Sequence, residues 1–165
     1  MSATSGFSQD FDKYVRIAQV IELFSGVPTS IQLSQGWNET AFGRADTIGT
    51  LYNNVFSIMD FDGDYWEFGN GRALGCWGRR SYVWRRYFHP LISWIDHAYF
   101  LMVHAPNHCG RDWRYWCDNP VRYGRRGYWK KIKKTIIQYK LNRFDIYNNN
   151  YNNIRFCYLD NLSGN

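Results

Sequence analysis

One stretch of the sequence, residues 26–43, carries start and stop features of a helix and places a glutamate between them. Pro28 suits the first position of a helix, because its missing N–H would have no helical partner there. Gly43 suits the change of direction that follows a helix. The pattern therefore predicts a helix that begins at Pro28, with Glu39 near its C-terminus.

The predicted position of Glu39 bears on its acidity. The C-terminal end of a helix carries partial negative charge, which disfavours an ionised carboxylate. The neighbouring side chains of Trp37, Ala41 and Phe42 are apolar, and the exclusion of water by them disfavours the charge further. Both effects predict a raised pKa for Glu39, and a carboxylic acid that stays protonated near neutral pH is suited to act as a general acid.

Four more segments follow this helix in a fixed order: residues 53–58 (Asn-Asn-Val-Phe-Ser-Ile), 67–71 (Glu-Phe-Gly-Asn-Gly), 86–101 and 123–132. Together the five segments resemble glycoside hydrolase family 73, the β-N-acetylglucosaminidases of autolysins, flagellar peptidoglycan hydrolases and phage lysins. The sequence departs from the family at Thr40, where the family has Ser, and at Ser57, where it has Gly. The Thr-Asp-Pro core that follows the family's tyrosine is also absent after Tyr123. The resemblance covers roughly residues 11–145.

The resemblance implies an α+β, mostly α fold: a lysozyme-like helical domain with a small β-lobe or flap. It also implies hydrolysis of the bond between N-acetylglucosamine and N-acetylmuramic acid in peptidoglycan. Such hydrolysis uses one protonated carboxyl and one ionised carboxylate. Glu39 is the predicted acid and Glu67 the predicted second group, with the acidic cluster in residues 60–64 as its rival. Tyr123 is the third catalytic residue carried over, as a phenol that holds the reacting sugar or its water.

Substrate contacts are predicted for three further residues. Gln35 shares a helix face with Gln32 and Glu39, and this polar stripe is either solvated or lines the sugar cleft. Trp66, beside the second carboxylate, suits stacking on a sugar ring, although most of the eight tryptophans are expected in the core. Asn54 is either a substrate contact or the residue that holds its own loop.

The remaining chain predicts helices around a glycine-rich middle. Apolar residues at helical spacing between Phe11 and Ile21 predict a first helix, and Pro90 opens a second one that is apolar nearly all round. A last helix follows, with lysines on its outer face. Residues 60–84 carry turn-forming residues and aromatics, which favour a β-lobe or flap. Residues 1–147 therefore form one domain, and residues 148–165 an Asn-rich tail.

Composition limits the class of partner. Hydrophobic residues make up 45% of the chain and aromatics 19%, which excludes a disordered protein. No apolar run reaches the roughly 18 residues needed to span a membrane, and no signal peptide is visible at the N-terminus. The net charge of +6 favours an anionic partner, either a bacterial envelope or a nucleic acid. Charge alone does not choose between these two classes. The family resemblance implies peptidoglycan strands and the anionic cell envelope as the partners, and no nucleic-acid motif occurs in the sequence.

The expected place of action is the bacterial wall or periplasm, as a monomeric phage lysin, a virion enzyme or a protein exported by another route. A muramidase or lytic transglycosylase, which cuts the alternate glycan linkage, is an alternative enzyme. A noncatalytic wall-binding or nucleic-acid-binding module is an alternative of another class. A nucleic-acid-binding module would show an affinity that falls steeply with added salt.

Other reactive side chains yield no second active site. No metal or cofactor is predicted, because one His and Cys cluster does not have zinc-finger spacing: His104, His108, Cys109 and Cys117. A serine triad from Ser93, Asp96 and His97 is rejected, because the three fall on one predicted helix without a nucleophile elbow. The four cysteines form disulfides or stay free thiols, and the sequence leaves both states open: Cys76, Cys109, Cys117 and Cys157.

Overall fold

A computed structural model describes residues 11–44, 51–59, 71–77, 80–104, 116–117 and 127–146 of the chain. Over these ranges the long helices are α1 (Phe11–Ser25), α2 (Thr29–Thr40), α3 (Pro90–His104) and α4 (Tyr128–Tyr139), and a 3₁₀ turn, Leu141–Phe144, follows α4. Strands β1 (Gly71–Trp77) and β2 (Arg80–Arg86) pair antiparallel, with Gly71 opposite Arg86. The mostly α, α+β class predicted from the sequence is confirmed.

Helix α2 is the centre of the helical packing. Helices α1 and α4 and the 3₁₀ turn all contact it, and α1 also contacts α3. Val15, Ala18 and Ile21 of α1 are buried, as their spacing predicts, and Ile31 and Leu33 of α2 are fully buried. Burial of each large apolar side chain contributes roughly 1.5–3 kcal/mol, so this packing holds α2 in place. No helix in the described ranges is long and apolar enough to cross a membrane.

An aromatic cluster lies against the C-terminal end of α2. The Trp94 ring is fully buried in α3 and meets Phe56 edge-on, with 4.9 Å between ring centroids. Phe42, just after α2, stacks on Trp94 at 6.3 Å and on Tyr14 of α1 at 4.6 Å. Offset and edge-to-face pairs of this kind add stability beyond the area that they bury. The cluster therefore joins α1, α3 and the two loops that follow α2.

The ends of α2 fall close to those expected. The helix begins at Thr29, so Pro28 is its N-cap rather than its first residue. It ends at Thr40, and Ala41 takes the left-handed C-cap conformation at φ 48°. The Ala41 N–H donates to the carbonyl of Trp37. The left-handed cap thus lies two residues before Gly43, and the prediction that Glu39 lies near the C-terminus of the helix is confirmed.

Two carboxylates, Glu22 from the preceding helix and Asp145 from 115 positions further along the chain, accept hydrogen bonds at the N-terminal end of α2. Buried Glu22 accepts hydrogen bonds at Oε2 from the Thr29 N–H (3.0 Å), the Thr29 hydroxyl (2.6 Å) and the Ile146 N–H (3.2 Å). Asp145 accepts from the N–H and hydroxyl of Ser30 at 2.6 and 2.9 Å. Negative charge at a helix N-terminus is favourable, and these bonds satisfy N–H groups that have no partner within the helix.

Candidate functional site

Glu39 is partly exposed in the last turn of α2, and a phenol holds its carboxylate. The hydroxyl of Tyr128, the first residue of α4, donates a hydrogen bond to Glu39 Oε1. Gly127 precedes α4 with φ 83°, a left-handed conformation that glycine adopts without a steric cost. The local sequence Gly-Tyr thereby starts α4 with the tyrosine against Glu39.

Side chains beside this pair fix the register of α2 against α4. Asn38 Nδ2 donates to Ser34 O at 2.7 Å and to the Thr135 hydroxyl at 2.8 Å. Lys131 Nζ donates to Asn38 O at 3.3 Å. Because both helices are regular and cross-linked at this point, the carboxyl and phenol are presented by a rigid frame, which favours a fixed mutual geometry.

A buried polar chain lies behind the Glu39 face. Gln35 has no exposed surface, and its Oε1 lies 2.7 Å from His97 Nε2. Its Nε2 donates to the Cys117 thiol at 3.8 Å, which leaves the amide oxygen to accept from the His97 ring. His97 also stacks on Phe56 with 3.8 Å between ring centroids. Burial lowers the pKa of His97 to about 3, so the imidazole is neutral at physiological pH.

The complete burial of Gln35 disagrees with the prediction that its side chain contacts substrate. Gln32 is likewise fully buried, and its Nε2 donates to Ala18 O at 3.1 Å and to Val27 O at 2.8 Å. The polar stripe of α2 is therefore neither solvated nor open to a ligand at these two residues. The physical reason is that hydrogen bonds to buried partners compensate the amides for lost water, which a polarity pattern does not reveal.

Asn54 holds the loop of residues 53–58. This is the second of the two roles that the sequence left open for Asn54, the other being a contact to substrate. Its buried side chain donates to Ile58 O at 2.9 Å and to Arg85 O at 3.0 Å, and accepts from the Ile58 N–H at 2.9 Å. Thr40 Oγ1 donates to Val55 O at 2.6 Å, so the last residue of α2 is tied to the same loop. The two Ile58 bonds close the loop on itself, the Arg85 bond joins it to β2 and the Thr40 bond joins it to α2, so the Asn54 side chain is engaged within the protein.

A buried ionic cluster joins strand β2 to helix α3. Arg85 donates to both oxygens of Asp96 at 2.9 and 2.7 Å, and the Tyr87 hydroxyl donates to Asp96 Oδ2. Burial, together with the Asp96 charge, raises the pKa of Tyr87 far above its ordinary value, so the phenol stays a donor.

The Ser93 hydroxyl, on the same helix as Asp96 and His97, accepts a hydrogen bond at Oγ from the Val55 N–H at 3.0 Å. The contacts described for Ser93, Asp96 and His97 go to Val55, to Arg85 and Tyr87, and to Gln35, respectively.

Several predicted site residues lie outside the described ranges, and the predictions for them stay predictions: Glu67, Trp66, Tyr123 and the acidic cluster in residues 60–64. Of the His and Cys cluster that lacks zinc-finger spacing, His108 and Cys109 also lie outside the described ranges. Cys117 is a buried thiol that accepts a hydrogen bond from Gln35. Within the residues that the structure does describe, no three His, Cys, Asp or Glu side chains come together in a metal-binding group.

Tyr128 is the site residue that sequence reasoning missed. The segment 123–132 contains two tyrosines, and the resemblance directed attention to Tyr123. The sequence feature that could have pointed to Tyr128 is its place directly after Gly127, at the start of a predicted helix. Chemically, the described arrangement provides a solvent-accessible carboxyl that can exchange a proton and a phenol that orients it. The sequence matches no protein-family model, and no curated protein matches it.

Proposed function

We propose that this chain is a lysozyme-like peptidoglycan hydrolase that cleaves the β-1,4 bond between N-acetylglucosamine and N-acetylmuramic acid, with Glu39 as its general acid. The observation that carries the proposal is the hydrogen bond from Tyr128 to a partly exposed Glu39 in the last turn of α2. The two residues come from two of the five segments that resemble glycoside hydrolase family 73.

In this mechanism Glu39 gives its proton to the leaving glycosidic oxygen as the bond breaks. The Tyr128 bond at Oε1 restricts the rotation of the carboxyl, so that the acid is oriented before substrate arrives. Glu67 is the proposed carboxylate that activates water or stabilises positive charge on the sugar. Tyr123 and Trp66 are the proposed contacts to the reacting sugar and its neighbour.

The charge on α4 supports the proposed partner. Lys130, Lys131 and Lys134 are exposed on this helix, and Lys140 and Arg143 follow it in exposed positions. A cluster of one sign attracts polymers of the opposite sign and raises their local concentration. Lys131 bonds the backbone next to Glu39, so the cationic face adjoins the carboxyl. Anionic wall polymers would thereby be drawn to the site, as befits a monomeric phage lysin or virion enzyme acting in the wall or periplasm.

The test compares the full chain with Glu39→Gln on purified cell walls, by loss of turbidity and mass analysis of the released fragments. The substitution keeps the shape of the side chain and removes the transferable proton. We expect fragments with a reducing N-acetylglucosamine from the native chain and none from the variant. Glu22→Gln is the matched control, because it makes the same change in the α1 carboxylate that caps the opposite end of α2 and should keep activity per folded molecule.

Other products would revise the proposal. Fragments with reducing N-acetylmuramic acid or an anhydro end would assign a muramidase or a lytic transglycosylase. Wall binding without any released fragment, from a folded native chain, would contradict the enzyme and leave a binding module. Binding to nucleic acid that is lost steeply with added salt, with no wall binding, would assign the partner to the other anionic class.

A further inference from the structure

Thr40, the last residue of α2, is fully buried directly after the partly exposed Glu39. Its hydroxyl has a partner as donor and another as acceptor. It donates a hydrogen bond to Val55 O at 2.6 Å and accepts one from the Gly43 N–H at 2.7 Å. Because the single hydroxyl proton points at Val55 O, a lone pair of the oxygen is left for the Gly43 N–H. The side chain that follows Glu39 is therefore held from two directions.

The turn that this hydroxyl closes is strained. Ala41, Phe42 and Gly43 follow one another with φ values of 48°, 59° and 83°. Residues other than glycine rarely adopt this left-handed region, because the β-carbon comes too close to the following carbonyl oxygen. Strain of this kind persists only where the surrounding contacts impose it, and it is concentrated at functional sites. Its place directly after Glu39 and Thr40 makes the turn a candidate for a role in orienting the carboxyl.

The contacts that impose this conformation converge on the last turn of α2. The first two N–H groups of the strained turn donate to carbonyls of α2, both at 3.0 Å. The Phe42 ring is 3% exposed and lies in the aromatic cluster described above. At the far end of the turn, the Arg44 N–H donates to Thr40 O at 2.8 Å, beside the Gly43 bond to the Thr40 hydroxyl. Thr40 thus ties the far end of the turn back to the helix.

The other partner of the hydroxyl belongs to a loop that is itself firmly held. Val55 is fully buried, and its N–H donates to Ser93 Oγ of α3 at 3.0 Å. The neighbouring Asn54 side chain donates to Arg85 O of β2 at 3.0 Å. The Thr40 hydroxyl therefore connects the end of α2 to a loop that is fixed to both α3 and β2.

We propose that Thr40 is a positioning residue, whose hydroxyl sets the direction in which the Glu39 side chain leaves α2. This role rests on the proposed function, in which Glu39 transfers a proton. Helix ends fray, and release of a strained turn favours the frayed state. Without the clamp, the carboxyl would spend part of its time away from the Tyr128 hydroxyl. Tyr128 holds one oxygen of the carboxyl, and Thr40 holds the backbone that carries it.

The kinetic test removes the hydroxyl and compares the two ends of α2. Thr40→Val should lower kcat for wall hydrolysis about tenfold with KM little changed, because a slightly displaced acid reacts more slowly. Thr40→Ser restores the hydroxyl and should keep kcat within about twofold of the native value. Thr29→Val is the matched control. Thr29 is equally buried, and its hydroxyl donates to Glu22 at 2.6 Å at the opposite end of α2. It should lose stability but keep kcat per folded molecule.

A second readout does not depend on hydrolysis. In the full chain with ¹³C-labelled tyrosine, the NMR signal of the Tyr128 carbon that bears the hydroxyl should shift as Glu39 takes up a proton, because the two groups are hydrogen-bonded. Tyr128→Phe identifies the signal. In Thr40→Val the shift should fall to about half of its native size or less, and in Thr40→Ser and Thr29→Val it should stay native. Thr40→Ala, which places no methyl group against the Val55 carbonyl, should behave like Thr40→Val.

The two readouts separate the role of Thr40 from the proposed reaction. Native kcat and a native shift in Thr40→Val and Thr40→Ala would overturn the positioning role. Equal losses of kcat from Thr40→Val and Thr29→Val would also overturn it, because they would assign the effect to the stability of α2. A lower kcat with a native shift would do the same, because the loss would occur without a displaced carboxyl. A reduced shift in chains that all fail to hydrolyse walls would support the positioning role and contradict the proposed reaction.

Discussion

The phenol of Tyr128 and the carboxylate of Glu39 are joined by a hydrogen bond although 89 positions separate them in the sequence. The bond connects the first residue of α4 to the last turn of α2. A donor held against one oxygen of a carboxyl group restricts its rotation, and orientation of this kind is a large part of what a general acid needs.

Removal of that donor should slow the chemical step. For Tyr128→Phe we expect kcat for wall hydrolysis to fall about tenfold, which corresponds to about 1.4 kcal/mol in the barrier, with KM little changed. Tyr139→Phe on the same helix, whose ring packs edge-on against Trp37, should keep kcat. Steady-state kinetics on a soluble glycan fragment measure both. An unchanged kcat for Tyr128→Phe would show that the bond does not orient the acid.

The buried ionic cluster should be a major source of stability between β2 and α3. Asp96→Asn leaves the Arg85 charge without its carboxylate, and removing one partner from a buried pair costs about 3 kcal/mol or more. Tyr87→Phe removes one hydrogen bond to the same carboxylate and should cost about 1 kcal/mol. Urea unfolding measures both variants. Equal losses would mean that the ion pair contributes no more than the phenol.

The buried histidine should make folding weaken in acid. Its pKa is about 3 in the folded chain against 6.5 for an exposed imidazole, so the unfolded chain binds the extra proton between these values. The free energy of unfolding contributed by His97 is therefore complete above pH 6.5 and is lost as the pH falls toward 3, by at most about 1.4 kcal/mol per pH unit.

Variants isolate this contribution from that of the carboxylates. His97→Gln keeps a donor for Gln35 and should flatten the fall in unfolding free energy between pH 6 and pH 4 by about 1 kcal/mol per pH unit. The native chain, measured in parallel, gives the reference slope. Urea unfolding at a series of pH values gives the slopes. A native slope in His97→Gln would contradict the assigned burial effect.

Backbone strain at Ser57 should be relieved by glycine. Ser57 has φ 51°, in the left-handed region where a side chain costs roughly 1 kcal/mol. We expect Ser57→Gly to raise the free energy of unfolding by about 0.5–1 kcal/mol, because relief of the clash exceeds the added entropy of the unfolded chain. Ser57→Ala keeps a β-carbon and should give no gain. Thermal unfolding compares the three chains, and a gain from alanine would point to the hydroxyl instead.

Local patterns predicted the helices well, because the spacing of apolar residues and the helix-boundary residues act over short stretches. The start of α3 at Pro90 and the place of Glu39 near the end of α2 were both predicted. The partners of Glu39 and Gln35 were not predictable in the same way. Tyr128 meets Glu39, and His97 meets Gln35, only after helices from distant parts of the chain have packed.

Burial of amides was equally invisible to a polarity pattern. Gln32 and Gln35 read as a polar stripe, yet both are enclosed because backbone and side-chain partners replace water. The family resemblance led to the expectation that Asn54 contacts substrate. It did not reveal that its three hydrogen bonds hold the loop.

The pair of carboxylates at the start of α2 has a consequence for biosynthesis. Asp145 lies 115 positions after the Ser30 groups that it caps. A ribosome that has just released α2 has therefore not yet made the residue that completes its N-terminal end. Such long-range closure is a slow step in folding, and helix α2, with Glu39 on it, reaches its final state only when nearly all of the described chain has been translated.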